Sequence, residues 1–211
     1  MYCHSFKENK RVLITYSCDD NAILARSLKI KIRQDLTTVI EETHNHLENR
    51  GCRPKFQAID NEISNQLTKM LQGIKIKIHH ALPHCCQRNA VEIAMRTFKN
   101  HFITVVCMTH SQFTMKLWCS FLHQAEMTLN MTRPHRHNPL ILTYVSLEGD
   151  LNFSDTPLAH VGSIAIARIS PSLRTSWAPC GIKAWVIGTT MTHCRRLKSK
   201  KNGEVIRDGF R

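Results

Sequence analysis

The apolar residues of the first 130 positions change their period several times, and this constrains the fold more than any other feature of the chain. "RVLITYSC" (11–18) and "AILARSLK" (22–29) are short β-prone runs separated by Asp19, Asp20 and Asn21. Two such runs across a polar turn predict a β-hairpin. Residues 33–50 then place Leu36, Val39, Ile40, Thr43 and Leu47 at helical spacing, with Gly51 as the stop. "PKFQAI" (54–59) predicts a third strand ending at Asp60. Residues 62–72 repeat at Ile63, Leu67, Met70 and Leu71, which predicts a short amphipathic helix ended by Gly73. "IKIKI" (74–78) alternates strictly and predicts a half-buried strand, and "ALPHCCQ" an irregular connection. Residues 89–107 carry Val91, Ala94, Met95, Phe98, Phe102 and Val105 at helical spacing. Residues 114–131 do the same with Leu117, Phe121, Leu122, Ala125 and Leu129.

After Pro134 the texture changes. Short β-prone pieces, "SIAIARI" and "KAWVIGT", alternate with Pro and Gly turns, and "RRLKSKK" (195–201) is a basic run that reads as a solvated tail. We expect two domains, 1–134 and 135–211. The chain has 211 residues, 42% of them hydrophobic, enough to bury a core. Lys and Arg total 29 against 16 acids, a formal net charge of +13, and the partner that suits such an excess is a polyanion, with nucleic acid foremost. An inert basic surface would look the same in composition. The odd count of nine cysteines shows no framework spacing, so we expect reduced thiols in an intracellular protein, nuclear or cytoplasmic and not secreted. "MYCHSFKENK" lacks the features of a signal peptide, and no apolar run reaches the ~20 residues of a spanning helix, so no membrane partner is expected.

Two acids stand where chemistry could be done. Asp60 ends a predicted strand, and Glu92 lies near the start of a later predicted helix, in "NAVEIAMRTFKNHF". Strand–strand–helix–strand–helix–strand–helix with acids at those places is the pattern of a ribonuclease-H-like α/β domain. A carboxylate at a strand tip and one on a facing helix can hold hard Mg²⁺, which takes oxygen ligands and fills its other positions with water and phosphate oxygens. Two such ions, roughly 4 Å apart, clamp the attacking and leaving oxygens of a phosphoryl transfer. Two bland readings stand beside this one. Asp60 can cap the helix predicted to begin at Glu62, and Glu92 can be a first-turn acid favoured by the helix dipole.

Three longer strings sharpen the reading. "AIDNEIS", "PHCCQRNAVEIAMRTFKNHF" and "LWCSFLHQAEMTLNMTRPHRHNPL" together resemble the integrase region of copia-type retrotransposon polyproteins. "GDLNFSDTPLAHVGSIAIARISPSLRTSWAPCGIKAWVIG" resembles the small Src-homology-3-like β-barrel that follows the core in them. The resemblance implies a ribonuclease-H-like integrase core, incomplete at its N-terminus, followed by that barrel. It implies an activity, DNA integration by strand transfer with Mg²⁺ or Mn²⁺, and partners, the element's cDNA ends and target DNA, with self-association into a homo-oligomer. Residue by residue, it carries Asp60 onto the second catalytic, metal-holding acid and Glu92 onto the third. It places the first acid ahead of Met1 and matches it to neither Asp19 nor Asp20. Cys85 and Cys86 stand where a polar pair such as Asn-His is usual. An incomplete acid set implies a chain that binds DNA without joining it. A non-enzymatic basic interaction module is the remaining reading.

Other residues invite function. Arg88, Asn89, Arg96 and Lys99 recur at three- to four-residue spacings around Glu92, where they can contact phosphate or form a solvated helix face. "HHALPHCC" (79–86) has zinc-type donors, but structural zinc takes spaced pairs on separate elements and the second pair is missing, so a polar loop is expected. Trp118 sits in an apolar row and reads as core. Trp177 and Trp185 fall in the β-rich part and are expected to pack there.

Overall fold

The computed structural model describes residues 5, 8–29, 33–59, 65–80, 86–150, 152, 158–169, 174–189, 194–199 and 205–209. In chain order they form β1 (Arg11–Ser17), β2 (Ala22–Leu28), α1 (Arg33–Asn49), β3 (Phe56–Ile59), α2 (Asn65–Gly73), β4 (Lys77–His80) and α3 (Cys86–Cys107). A 3-10 helix (Met115–Phe121), α4 (Leu122–Asn130) and α5 (Thr143–Glu148) follow, then β5 (Ile164–Arg168), β6 (Gly181–Thr189), β7 (Cys194–Ser199) and β8 (Val205–Gly209). The first seven elements have the order read from the sequence. The chain divides into two compact units, residues 1–100 with 126–149 and residues 101–125 with 150–211.

In the first unit β1 and β2 form the expected antiparallel hairpin, in register from Arg11↔Leu28 to Ser17↔Ala22. Its turn uses Asn21 at φ 60°, a left-handed conformation that Asn tolerates better than most residues. The turn is fastened by side chains. Tyr16 Oη–H donates to Asn21 Oδ1 at 3.0 Å, and Arg133 Nε–H donates to the Asn21 carbonyl at 2.9 Å. Ala22, Ile23, Leu24 and Ala25 are all buried, so both faces of β2 are covered. β3 and β4 make a separate parallel pair, Phe56↔Lys77 to Ile59↔His80.

Helix α1 joins two apolar clusters. Its Leu47 packs with Ala22, Leu24 and Leu147, and its Ile40 packs with Leu67, Leu71 and Ile76. Gly51, at φ 81°, ends the helix as expected, and the Cys52 N–H closes back onto the Leu47 carbonyl at 3.0 Å. The strand expected over 74–78 is shifted. Residues 74–76 belong to the turn that leaves α2, with Lys75 at φ 61° and the Ile76 N–H bonded to the Leu71 carbonyl at 2.9 Å. The turn drops Ile76 into the core and leaves Ile74 exposed, so the strict alternation is partly a turn effect.

The 3-10 helix and α4 replace the single helix expected over 114–131, and Leu117, Phe121, Leu122, Ala125 and Leu129 are buried as expected. Trp118 is buried and meets the Phe102 ring edge-on at 6.5 Å. β5 to β8 form one antiparallel sheet in sequential order, built on a small-residue core of Ala167, Ala184 and Val186. The sheet is unclosed among the described residues. "RRLKSKK" is not merely a tail, because Cys194–Ser199 is strand β7, paired on both sides. Trp185 is buried against Phe113 at 5.4 Å and His110 at 5.7 Å. Trp177 corrects the expectation that it packs inside, being 99% exposed on the loop between β5 and β6. Among the described residues no helix is long and apolar enough to cross a membrane.

Candidate active site

The parallel pair β3–β4 sets the frame. Ligands of open parallel sheets gather at the carboxyl ends of their strands. β3 ends at Ile59, directly before Asp60, and its register partner His80 ends β4. Five residues, 81–85, then lead into α3, which carries Glu92. Asp60 itself lies outside the described residues, as do His84 and Cys85 of the zinc-like stretch. Within that stretch His79 is engaged with the Phe56 ring, their centroids 5.2 Å apart, in a tilted contact.

Helix α3 presents a sorted surface. Ala94, Phe98 and Phe102 are spaced by four and buried, which fixes the rotation of the helix. Glu92, Arg96 and Lys99 are exposed. At about 100° per residue these three fall on one side, away from the buried stripe. An acid able to ligate a hard cation therefore shares its helix face with two cations able to meet phosphate. Arg88 and Asn89 belong to the first turn of α3, one turn ahead of Glu92. Met95, expected inward, is 48% exposed, and Ile93 and Ile103 are exposed too, so the outer face is mixed rather than purely polar. Among the described residues no group of three or more His, Cys, Asp or Glu side chains is placed to hold a metal ion. The donor chemistry of Asp60 and Glu92, two carboxylates, is nonetheless the kind Mg²⁺ or Mn²⁺ takes.

Asp20 has structural partners, whereas Asp19 is exposed and lies 3.9 Å from His137 Nε2. Asp20 is buried, accepts from Ser17 Oγ–H at 2.7 Å and lies 3.6 Å from His135 Nε2. Cys52 Sγ is 3.6 Å from the same carboxylate. Burial, and then the Asp20 charge, push the Cys52 thiol above its ordinary range, so it is not an activated nucleophile.

Sequence reasoning passed over a buried acid of the first unit. Glu126, on α4, accepts from the Ala25 N–H at 2.7 Å and pairs with Arg26 NH1 at 2.5 Å. One turn on, Asn130 bonds both the N–H of Ile23, at 3.1 Å, and its carbonyl, at 2.9 Å. Two helical side chains thus satisfy the edge of β2 that β1 leaves open. Burial pushes the Glu126 carboxyl up, opposed by Arg26, the Ala25 N–H and His46. The available signal was positional, since Glu126 and Asn130 each follow an inward residue, Ala125 and Leu129.

No family model matches the sequence, and no curated protein matches it. Among solved structures, the catalytic core domain of BIV integrase aligns at 15% identity over 64% of this chain and 84% of its own, with a TM-score of 0.49. A chain of the cryo-EM structure of the simian T-cell lymphotropic virus intasome in complex with PP2A regulatory subunit B56 gamma aligns at 12% identity. That alignment covers 99% of this chain and 73% of the other, with a TM-score of 0.54. The chain has an integrase-like, mixed α/β fold.

Proposed function

We propose that this protein is a DNA-binding integrase core of the copia retrotransposon type, whose family role is DNA integration by strand transfer with Mg²⁺ or Mn²⁺. The observation that carries the reading is the face of α3, where the exposed Glu92 stands between Arg96, Lys99 and the turn bearing Arg88 and Asn89. The integrase-like fold and the +13 charge support it. In this reading residues 1–134 are the ribonuclease-H-like core and residues 135–211 a small Src-homology-3-like β domain. Asp60 and Glu92 are the metal-holding acids, and the metal, when bound, supplies electrostatic stabilisation of the phosphoryl oxygens. Arg88, Asn89, Arg96 and Lys99 hold the DNA backbone, which positions the duplex without reading its sequence. The protein works in the nucleus or cytoplasm as a homo-oligomer on the element's cDNA ends and target DNA.

These 211 residues supply two acids of a set that the family fills with three, so by themselves they bind DNA without joining it. In-line displacement tolerates little displacement of its metal ligands, and a ~1 Å error costs about 100-fold in rate. The test is joining of a labelled duplex end to plasmid, beside an Asp60→Asn control. We expect salt-sensitive binding and no joining from either protein. Joining by the unmodified chain that the control abolishes would make these residues sufficient for catalysis.

A further inference from the structure

The β5–β6 hairpin carries an exposed surface that the α3 reading does not use. A turn closed by the Ala178 N–H on the Thr175 carbonyl, at 3.0 Å, holds Trp177 at its third position, 99% exposed. The loop is anchored where the Ile169 N–H meets the Cys180 carbonyl at 2.9 Å, and where Arg174 NH1 meets Cys180 Sγ at 2.6 Å. Along the outer face of the hairpin Ile166 is 74% exposed and lies across from Lys183. Arg168 continues that face towards the loop, opposite Gly181. A Cβ at Gly181 would come within 2.5 Å of the Ile166 side chain, so a bare backbone there lets Ile166 lie flat over β6.

Charge selects the partner. Between Asp155 and Glu204 the sequence contains no acid at all, and Arg168, Arg174 and Lys183 fall within that stretch. A protein partner covering an indole and an isoleucine would not by itself call for such one-sided charge. A polyanion would, and a polyanion that also offers flat apolar faces is a nucleic acid with unstacked bases. Duplex DNA keeps its base faces in the stack, out of reach of an indole on a loop.

We propose that the β5–β6 hairpin is a single-stranded nucleic-acid site, in which Trp177 stacks on a base and Arg168, Arg174 and Lys183 hold the adjoining phosphates. The site rests in part on the nucleic-acid-binding reading above, but it is separate from α3 and binds a different form of the polymer.

The three tryptophans make the test spectroscopic, because Trp118 and Trp185 are buried and Trp177 alone faces solvent. The full chain is titrated with a dT20 oligonucleotide while its tryptophan emission is followed. The expected result is quenching of the solvent-exposed emission in the wild type and, by anisotropy of a labelled dT20, ~10-fold weaker binding for Trp177→Ala with affinity near the wild type for Trp177→Phe. Inorganic polyphosphate should bind without that quenching. Trp177 is so exposed that replacing it removes no packing, so loss of fold does not confound the variants. Equal dT20 affinity for wild type and Trp177→Ala would overturn the proposal. So would a wild-type dimer that Trp177→Ala dissociates in sedimentation, which would assign the surface to a second copy. Duplex affinity, measured on the same variants, should not change. A wild-type chain that fails to bind duplex DNA while dT20 still quenches its emission would reject the α3 interface and leave this site standing, whereas loss of duplex binding on Trp177→Ala would overturn the separation of the two sites.

Discussion

Replacing Glu126 tests how the first unit is held together. The carboxylate serves a strand edge in place of a neighbouring strand, through the Ala25 N–H at 2.7 Å and Arg26 at 2.5 Å. Glu126→Ala leaves a buried N–H without an acceptor, worth about 1–3 kcal/mol. It also strands a guanidinium. Breaking a buried pair costs about 3–5 kcal/mol, and Arg26 is 27% exposed, which moves its share to the low end or below. We expect a total near 3 kcal/mol. Glu126→Gln keeps an oxygen for the Ala25 N–H and removes only the charge, so we expect about 1 kcal/mol. Urea unfolding followed by circular dichroism resolves the two, because 3 kcal/mol is a midpoint shift of roughly 1 M at ordinary slopes. The pH dependence adds a sign. Burial raises the Glu126 pKa above its unfolded value. Its stabilising contribution is therefore full below the unfolded carboxylate pKa and is lost as pH rises through the folded one. The advantage of wild type over Glu126→Gln should shrink as pH rises above the ordinary carboxylate range, with other groups cancelling in the difference. A loss under about 1 kcal/mol for Glu126→Ala, or equal losses for both variants, would show that the Glu126 carboxylate does not hold the edge of β2.

Phe121→Ala removes a fully buried ring that stacks 4.8 Å from Phe113, and should destabilise the second unit by about 3–5 kcal/mol in the same assay. Arg96→Ala with Lys99→Ala should reduce the slope of log affinity for duplex DNA against log salt by about 2, read from fluorescence anisotropy, while leaving thermal unfolding unchanged. An unchanged slope would move the duplex interface off α3. Asn130→Ala withdraws two bonds from Ile23 and should cost about 1–2 kcal/mol, measured by the shift in thermal midpoint.

The order of elements was legible because the apolar period changes cleanly at each boundary, and Gly51 and the Asp19–Asn21 turn mark their sites by residue type. Ile74 misled because an alternating string looks alike whether its first members lie in a turn or a strand. Only the left-handed Lys75 and the bond from Ile76 to Leu71 separate the two. Trp177 misled because indoles are usually buried and no local spacing tells a core tryptophan from one on a loop tip. Glu126 and Asn130 were invisible for a different reason. Their partners lie a hundred residues away on β2, and no periodicity encodes a side chain standing in for a strand. Of the candidate site, the helical face of Glu92, Arg96 and Lys99 followed from spacing alone, since a helix fixes which residues share a side. The relation of Asp60 to that face depends on tertiary structure around residues 60–64, which spacing cannot supply.

In the proposed function Asp60 and Glu92 form one metal-holding pair. A crystal structure grown with Mn²⁺, with data collected at the manganese absorption edge, tests it most directly. We expect an anomalous peak held by Asp60 and Glu92 that is lost in Glu92→Gln. Asp60 and Glu92 on opposite faces of the domain, or manganese bound elsewhere with the Asp60–Glu92 site empty at saturating metal, would contradict it.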